Sequence, residues 1–183
     1  MFQLTRSKWF IFAVCAAGLA PGCNRKSKPA QPVHVVEEER PALATVVHVA
    51  DPRAASQLLS GFYGVEQGSW RWTGKKFSVI LATPDNVASK NVSLVFKLAV
   101  PEPVIQKLRS ITLSATVNGV ALPPETYRQP GEYVYTREID AKILGGASAQ
   151  VDFSLDKALP PGGGGGDTRE LGLVATSIGF DWK

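Results

Sequence analysis

Beyond about residue 44 the apolar positions fall on every second residue. Phe77, Val79 and Leu81 are separated by Ser78 and Ile80, and Leu94, Phe96 and Leu98 alternate with Ser93 and Lys97. Successive strand residues point to opposite faces, so this period of two predicts strands with one packed face and one partly wet face. Seven runs rich in Val, Ile, Leu, Phe, Tyr or Thr carry the signal: Thr45 to Val49, Lys76 to Ala82, Val92 to Val100, Ser110 to Val117, Tyr133 to Ile139, Gln150 to Leu155 and Leu171 to Phe180. Most end on Gly, Pro, Asn or Asp, and no long segment keeps a helical period between capping residues. Asn118-Gly119 between Val117 and Val120 is a hairpin signal, because both residues tolerate the positive φ of a tight turn. A single open sheet would leave its apolar face uncovered, so residues 44–183 are expected to form an all-β, two-sheet β-sandwich, jelly-roll-like, with an immunoglobulin-like order as the alternative.

The first 43 residues have a different pattern. Arg6 and Lys8 precede an apolar run from Trp9 to Ala20, and Pro21, Gly22 and Cys23 follow. A basic start, about a dozen apolar residues and a small residue before a cysteine are the layout of an export signal over residues 1–22, too short to span a bilayer. The segment Leu19-Ala20-Pro21-Gly22-Cys23 resembles the lipobox of bacterial lipoproteins, in which the cysteine is lipidated and becomes the first mature residue. Cys15 would leave with the signal, so Cys23 would be the sole cysteine, and lipidation accounts for it where ordinary cleavage would leave a free thiol. Asn24, in place of an Asp, points to the outer membrane of the cell envelope. Residues 23–43, with the run Glu37-Glu38-Glu39-Arg40, have too little apolar surface to offset their ordering entropy and read as a disordered tether.

Charge narrows the partners. Losing Arg6 and Lys8 with the signal takes the formal net charge from +4 to +2, and no Lys/Arg stripe follows, which argues against nucleic acid. The expected partners are a membrane through Cys23, and a glycan or another envelope protein.

Candidate chemistry concentrates in two stretches. Upstream, Gly61-Phe-Tyr-Gly-Val-Glu66 leads into Trp70-Arg71-Trp72-Thr73. Downstream, the glycine run Gly162 to Gly166 opens into Asp167-Thr-Arg169-Glu170 and then an apolar strand. In a strand Trp70 and Trp72 share one face and Arg71 takes the other. Exposed tryptophans stack on sugar rings, and an arginine with an acid can hydrogen-bond hydroxyls; two same-face tryptophans also serve as sandwich core. Arg71 cannot shed its charge, so it is expected to find an acid among Glu66, Asp167 and Glu170, while Arg169 turns toward Glu66. The candidate ligand-binding residues are therefore Glu66, Trp70, Arg71, Trp72, Asp167 and Arg169, with the same charges serving as a brace under the other reading.

The ordered set GFYGVE, WRWTGK, VNG, DTRELG and SIGF resembles a β-sandwich module that recurs in bacterial cell-surface and polysaccharide-associated proteins, sometimes beside glycosyltransferase domains. The resemblance spans Gly61 to Phe180. It implies a compact sandwich associated with carbohydrate, and it carries over no catalytic residue. Catalysis is not expected on the residues either. His34 falls in the tether, His48 precedes both stretches, no G-x-S-x-G elbow occurs, and a Glu66 carboxylate with Asp167 or Glu170 is a weak glycosidase signal. No cofactor is expected, and the acids lack the dense Asp/Asn repeat that a calcium loop needs. The expected function is a non-catalytic binding module for carbohydrate on an envelope lipoprotein, with a structural or assembly lipoprotein as the alternative.

Overall fold

In the computed structural model the described residues are 42–89, 91–163 and 166–183. The expected export signal, Cys23, His34 and all but the end of the expected tether lie outside them. The described residues belong to the unit Glu39–Lys183. They form β1 (Val46–His48), β2 (Leu58–Glu66), β3 (Trp70–Ala82), β4 (Val92–Val100), one short helix α1 (Glu102–Leu108), β5 (Ile111–Val117), β6 (Val120–Tyr127), β7 (Gly131–Ile139), β8 (Ser148–Leu155) and β9 (Val174–Trp182). No helix among the described residues is long and apolar enough to cross a membrane.

Hydrogen bonding links the strands in the order β6-β5-β8-β3-β9-β4-β7, with β2 on β3 and β1 on β9. The register folds this path into two layers. One is β6-β5-β8-β3-β2, and the other is β7-β4-β9-β1. They join at a single corner, where Arg71 and Trp72 of β3 pair with Ala175 and Val174 of β9. Every paired strand is antiparallel and most connections cross from one layer to the other, the wrapping habit of a jelly roll.

The core fills the space between the layers, and the period of two puts it there. On β4 the residues Val92, Leu94, Phe96, Leu98 and Val100 are all buried, while Lys97 is exposed. Phe77 of β3 stacks on Phe153 of β8 with ring centroids 4.8 Å apart, and Phe96 of the opposite layer meets both, at 5.8 and 5.0 Å. Offset and edge-to-face pairs of this kind add about 1 kcal/mol each beyond area burial. Asn118 and Gly119 take φ of 48° and 82°, and Val117 pairs with Val120, so the Asn-Gly turn forms as its sequence requires. Gln57, almost fully buried, ties the start of the domain down: its amide donates to the Ala44 and Ile80 carbonyls and accepts from the Ala44 N–H.

Three elements depart from the sequence expectation. β2 carries Gly61 and Gly64 and shifts register three times against β3, which breaks up its alternation. β6 contains Pro123 and Pro124, residues tolerated only on an edge strand. α1 is a single short piece between β4 and β5 that follows Pro101, too brief to show a helical period.

Candidate functional site

The site is built on the β2–β3 hairpin. Gln67 and Gly68 take φ of 50° and 69°, and the Ser69 N–H donates to the Glu66 carbonyl, a turn whose twist matches the flanking strands. It sets Glu66 directly opposite Trp70 and Val65 opposite Arg71. Residues directly opposite in an antiparallel pair share a face, so Glu66, Trp70 and Trp72 stand on one face and Val65 and Arg71 on the other. The two indoles meet edge to face, with centroids 6.2 Å apart at 80°. Both tryptophans are half-buried, and Trp72 packs against the hydrophobic core. Trp72 therefore serves as a foot in the core and supports Trp70 at the surface.

The segment after the glycine run docks against this hairpin. The Thr73 N–H donates to the Leu173 carbonyl, the Gly172 N–H to the Thr73 carbonyl, and the Leu173 N–H to Thr73 Oγ1, all within 3.1 Å. Gly172 is required by the close approach, because a Cβ there would lie 2.5 Å from Leu155 Cδ1 and 2.7 Å from the Gly74 carbonyl. Glu170 Oε1 accepts the Lys75 N–H at 2.9 Å, and Tyr63 Oη donates to the Glu170 carbonyl at 2.8 Å. Glu170 is thus fastened to β3 as a strand-end clamp.

Arg169 is the hub. Its Nε donates to Asp167 Oδ1 at 3.0 Å and its Nη2 to Asp167 Oδ2 at 2.7 Å, a two-pronged contact, and Nη2 also reaches Glu66 Oε1 at 2.8 Å. The Arg169 N–H donates to Asp167 Oδ1 as well, closing an Asx-type turn. The guanidinium lies 5.1 Å from the centre of the Tyr63 ring. Bonds from the Arg169 side chain, and then from its N–H, hold the Asp167 carboxyl at about 2, and the side-chain bonds to Asp167 and then Glu66 push the Arg169 guanidinium further up. Two ion pairs result, both partly exposed. Fork-shaped charge-assisted bonds fix geometry more than they add stability at such a depth.

The structure brings Glu66, Asp167 and Arg169 together on the tryptophan face but leaves Arg71 out of the cluster. Arg71 forms no ion pair among the described residues. Its Nε donates to the Val49 carbonyl at 2.6 Å and its Nη1 to the Tyr63 carbonyl at 2.7 Å. The expectation of an acidic partner is corrected by this arrangement, since the guanidinium is only partly buried and two carbonyl dipoles, with water, suffice for it. Arg71 fastens the β1 end to β2 across the corner between the layers. Tyr63 is the residue that sequence reasoning missed: it touches Arg169, Glu170 and, through its carbonyl, Arg71, yet nothing in the sequence sets it apart from Phe62.

The cluster has a definite chemical capacity. The charged fork of Arg169 is taken up within the chain, while Glu66 and Asp167 each keep lone pairs that can accept hydrogen bonds. Trp70 adds a flat apolar surface beside these acceptors. A carboxyl held at about 2 carries no proton at neutral pH and cannot act as a general acid. Among the described residues no group of three or more His, Cys, Asp or Glu side chains is placed to hold a metal ion.

No family model and no curated protein matches the chain. Solved structures with a similar course of chain include the acetyl xylan esterase Est2A from the rumen bacterium Butyrivibrio proteoclasticus, 9% identical with a TM-score of 0.44, over 78% of this chain and 33% of that one. A family GH115 4-O-methyl-α-glucuronidase, BtGH115A, is 10% identical with a TM-score of 0.44, over 76% of this chain and 18% of that one. The carbohydrate-binding module CBM36, solved with calcium and xylotriose, is 9% identical with a TM-score of 0.37, over 76% of this chain and 99% of that one. The chain thus spans a third or less of the two enzymes' own length. Likenesses this distant say nothing about what the chain binds, and the all-β sandwich stands on its own strand register.

Proposed function

We propose that the protein is a lipid-anchored bacterial envelope protein whose β-sandwich binds carbohydrate without catalysis. The observation that carries this reading is the β2–β3 register, which sets Glu66 opposite Trp70 and so puts an aromatic surface and carboxylate acceptors on one face. Sugar rings offer an apolar C–H face to stack on an indole and hydroxyls to donate to carboxylates. Trp72 and the Arg169 hub hold that pair in place before any ligand arrives, which lowers the ordering cost of binding.

The test is titration of the full-length protein, purified in detergent, with neutral soluble polysaccharides such as xylan, β-glucan and galactomannan. The expected result is quenching or a blue shift of tryptophan emission on binding, and a loss of affinity of about tenfold or more in Trp70→Ala with little change in melting temperature. Unchanged affinity in Trp70→Ala would rule the tryptophan face out as the site.

Anchoring is tested separately. Cys23→Ser should move the protein from the membrane fraction to the soluble envelope fraction, because the anchor's acyl chains are what make attachment stable. Unchanged fractionation would remove the lipid anchor from the proposal.

A structural or assembly role is the second reading, and one observation favours it. The Arg169 fork, the Tyr63 hydroxyl and Arg71 are all engaged within the chain, which is how a brace is built. Under that reading Trp70→Ala leaves glycan affinity unmoved and disrupts association with another envelope protein.

A further inference from the structure

A second concavity lies further along β3, on the outer surface of the layer β6-β5-β8-β3-β2, and none of Glu66, Trp70, Trp72, Asp167 or Arg169 lines it. Its volume is about 440 Å³. The strand register explains how it arises. Ser78 of β3 stands opposite Asp152 of β8, which stands opposite Thr116 of β5. One row along, Lys76 stands opposite Ser154, which stands opposite Ser114. Side chains opposite each other across a sheet share a face, so these six residues form two parallel rows on one surface. Four of the six are short hydroxyl side chains, which leave the floor of the sheet open between Lys76 and Asp152.

Four of the six polar side chains in these rows lack partners, while Ser78 Oγ lies 2.8 Å from Ser60 Oγ, also on the cleft wall. Among the described residues, the side chains of Lys76, Ser114, Thr116 and Ser154 make no hydrogen bond within the chain. Asp152 accepts one bond at Oδ1, from Gln150 Nε2 at 2.8 Å, and keeps its second oxygen. A concavity of several hundred cubic ångströms is within the size range of small-ligand sites, and its convergent unpaired donors and acceptors can orient a polar ligand.

We propose that this cleft is a second binding site of the protein, for a neutral polyhydroxylated oligosaccharide. Each hydroxyl both donates and accepts, as a sugar hydroxyl does, so the two can pair in either direction along a polyhydroxylated chain. The single cation, Lys76, and the single anion, Asp152, offset each other, so the cleft has no net charge to draw an acidic or basic chain. The aromatic residues that line the cleft, Phe77 and Phe153, turn into the core, and so recognition here runs through hydrogen bonds instead of stacking. The inference rests on these residues alone and does not depend on the tryptophan face.

The experiment is isothermal titration of the full-length Trp70→Ala protein in detergent with xylohexaose, cellohexaose and mannohexaose, and with oligogalacturonate as a charged comparison. Binding of at least one neutral hexasaccharide is expected in this background. It should weaken about tenfold or more when Ser154→Phe fills the cleft floor, and comparably in the Lys76→Ala, Asp152→Ala double variant, which removes the charged partners and adds no bulk. The double variant also decides the matter if Ser154→Phe fails to fold. No heat from any neutral hexasaccharide overturns the second site, as does binding that both cleft variants leave intact, or a preference for oligogalacturonate. Binding lost only on Trp70→Ala assigns the whole affinity to the tryptophan face and sinks the cleft while sparing the proposed function.

Discussion

Gly61→Ala should destabilise the folded protein by about 3–5 kcal/mol, the largest effect expected of any small substitution in the hairpin. Gly61 has φ of 73°, and its backbone runs so close to β3 that a Cβ there would collide with the Lys76 carbonyl and lie 2.7 Å from Phe77 Cα. Phe77 cannot give way, because it is 1% exposed and stacked on Phe153. The comparison that isolates crowding from backbone strain is Gly68→Ala. Gly68 has φ of 69°, but a Cβ there meets nothing within 4 Å, so only the conformational penalty of about 1 kcal/mol is expected. Urea unfolding of the full-length chain, followed by circular dichroism, should separate the two variants by about 2 kcal/mol or more. Equal losses would mean that β2 can slide off β3 without cost. A slide of that kind would also break the Glu66–Trp70 register, so Gly61 sets the candidate site as well as the fold.

The alternation of β4, β5 and β8 was plain in the sequence because each of those strands is flanked by partners on both edges and packs one regular face on the core. Asn118-Gly119 was readable for a similar reason: a two-residue turn depends on local φ preferences and little else. β2 was not readable, since its register shifts come from Gly61 crossing β3, a contact between residues fifteen or more apart that leaves no period. β6 was hidden by Pro123 and Pro124, which cannot donate to a ladder and normally argue against a strand. At the site, the meeting of Glu66, Asp167 and Arg169 was legible because a charged frame following a glycine run must find partners of opposite sign. The role of Arg71 was not. Sequence shows which charges need compensation, but carbonyl oxygens belong to every residue, and only the fold decides which ones come within reach. The cleft on the outer layer was equally silent, because Lys76, Ser114, Asp152 and Ser154 lie on three strands and become neighbours only through register.

Arg137→Leu should cost about 2–3 kcal/mol, and the reason lies at the far edge of the sandwich, where β6 and β7 approach without pairing. Two consecutive prolines deprive β6 of the N–H groups that would close the sheet, leaving their carbonyls turned to a strand that cannot complete a ladder. Arg137 supplies the missing donors. Its Nε reaches the Pro123 carbonyl at 2.8 Å and its Nη2 the Pro124 carbonyl at 3.1 Å and Glu125 Oε2 at 2.9 Å, while Nη1 turns back to the Thr136 carbonyl at 2.7 Å. The fully buried Tyr135 assists, donating from Oη to the Pro123 carbonyl at 2.9 Å, and its ring lies 4.3 Å from the guanidinium carbon. Leucine would keep much of the packing against Tyr135, whose hydroxyl still serves the Pro123 carbonyl, but would strand the Pro124 carbonyl and the Glu125 carboxylate. Partial exposure of the pair lets water recover some of the loss, which keeps the estimate below that of a buried ion pair. Arg137→Lys should restore only a minor part, because an ammonium is a point charge that cannot span three acceptors in a planar fork. Opening this edge also exposes unpaired strand backbone, so Arg137→Leu is expected to aggregate on heating at concentrations where the parent chain stays clear. Unfolding free energies from denaturant titration of the two variants within about 0.5 kcal/mol of the parent would show that the β6–β7 edge holds by apolar packing alone.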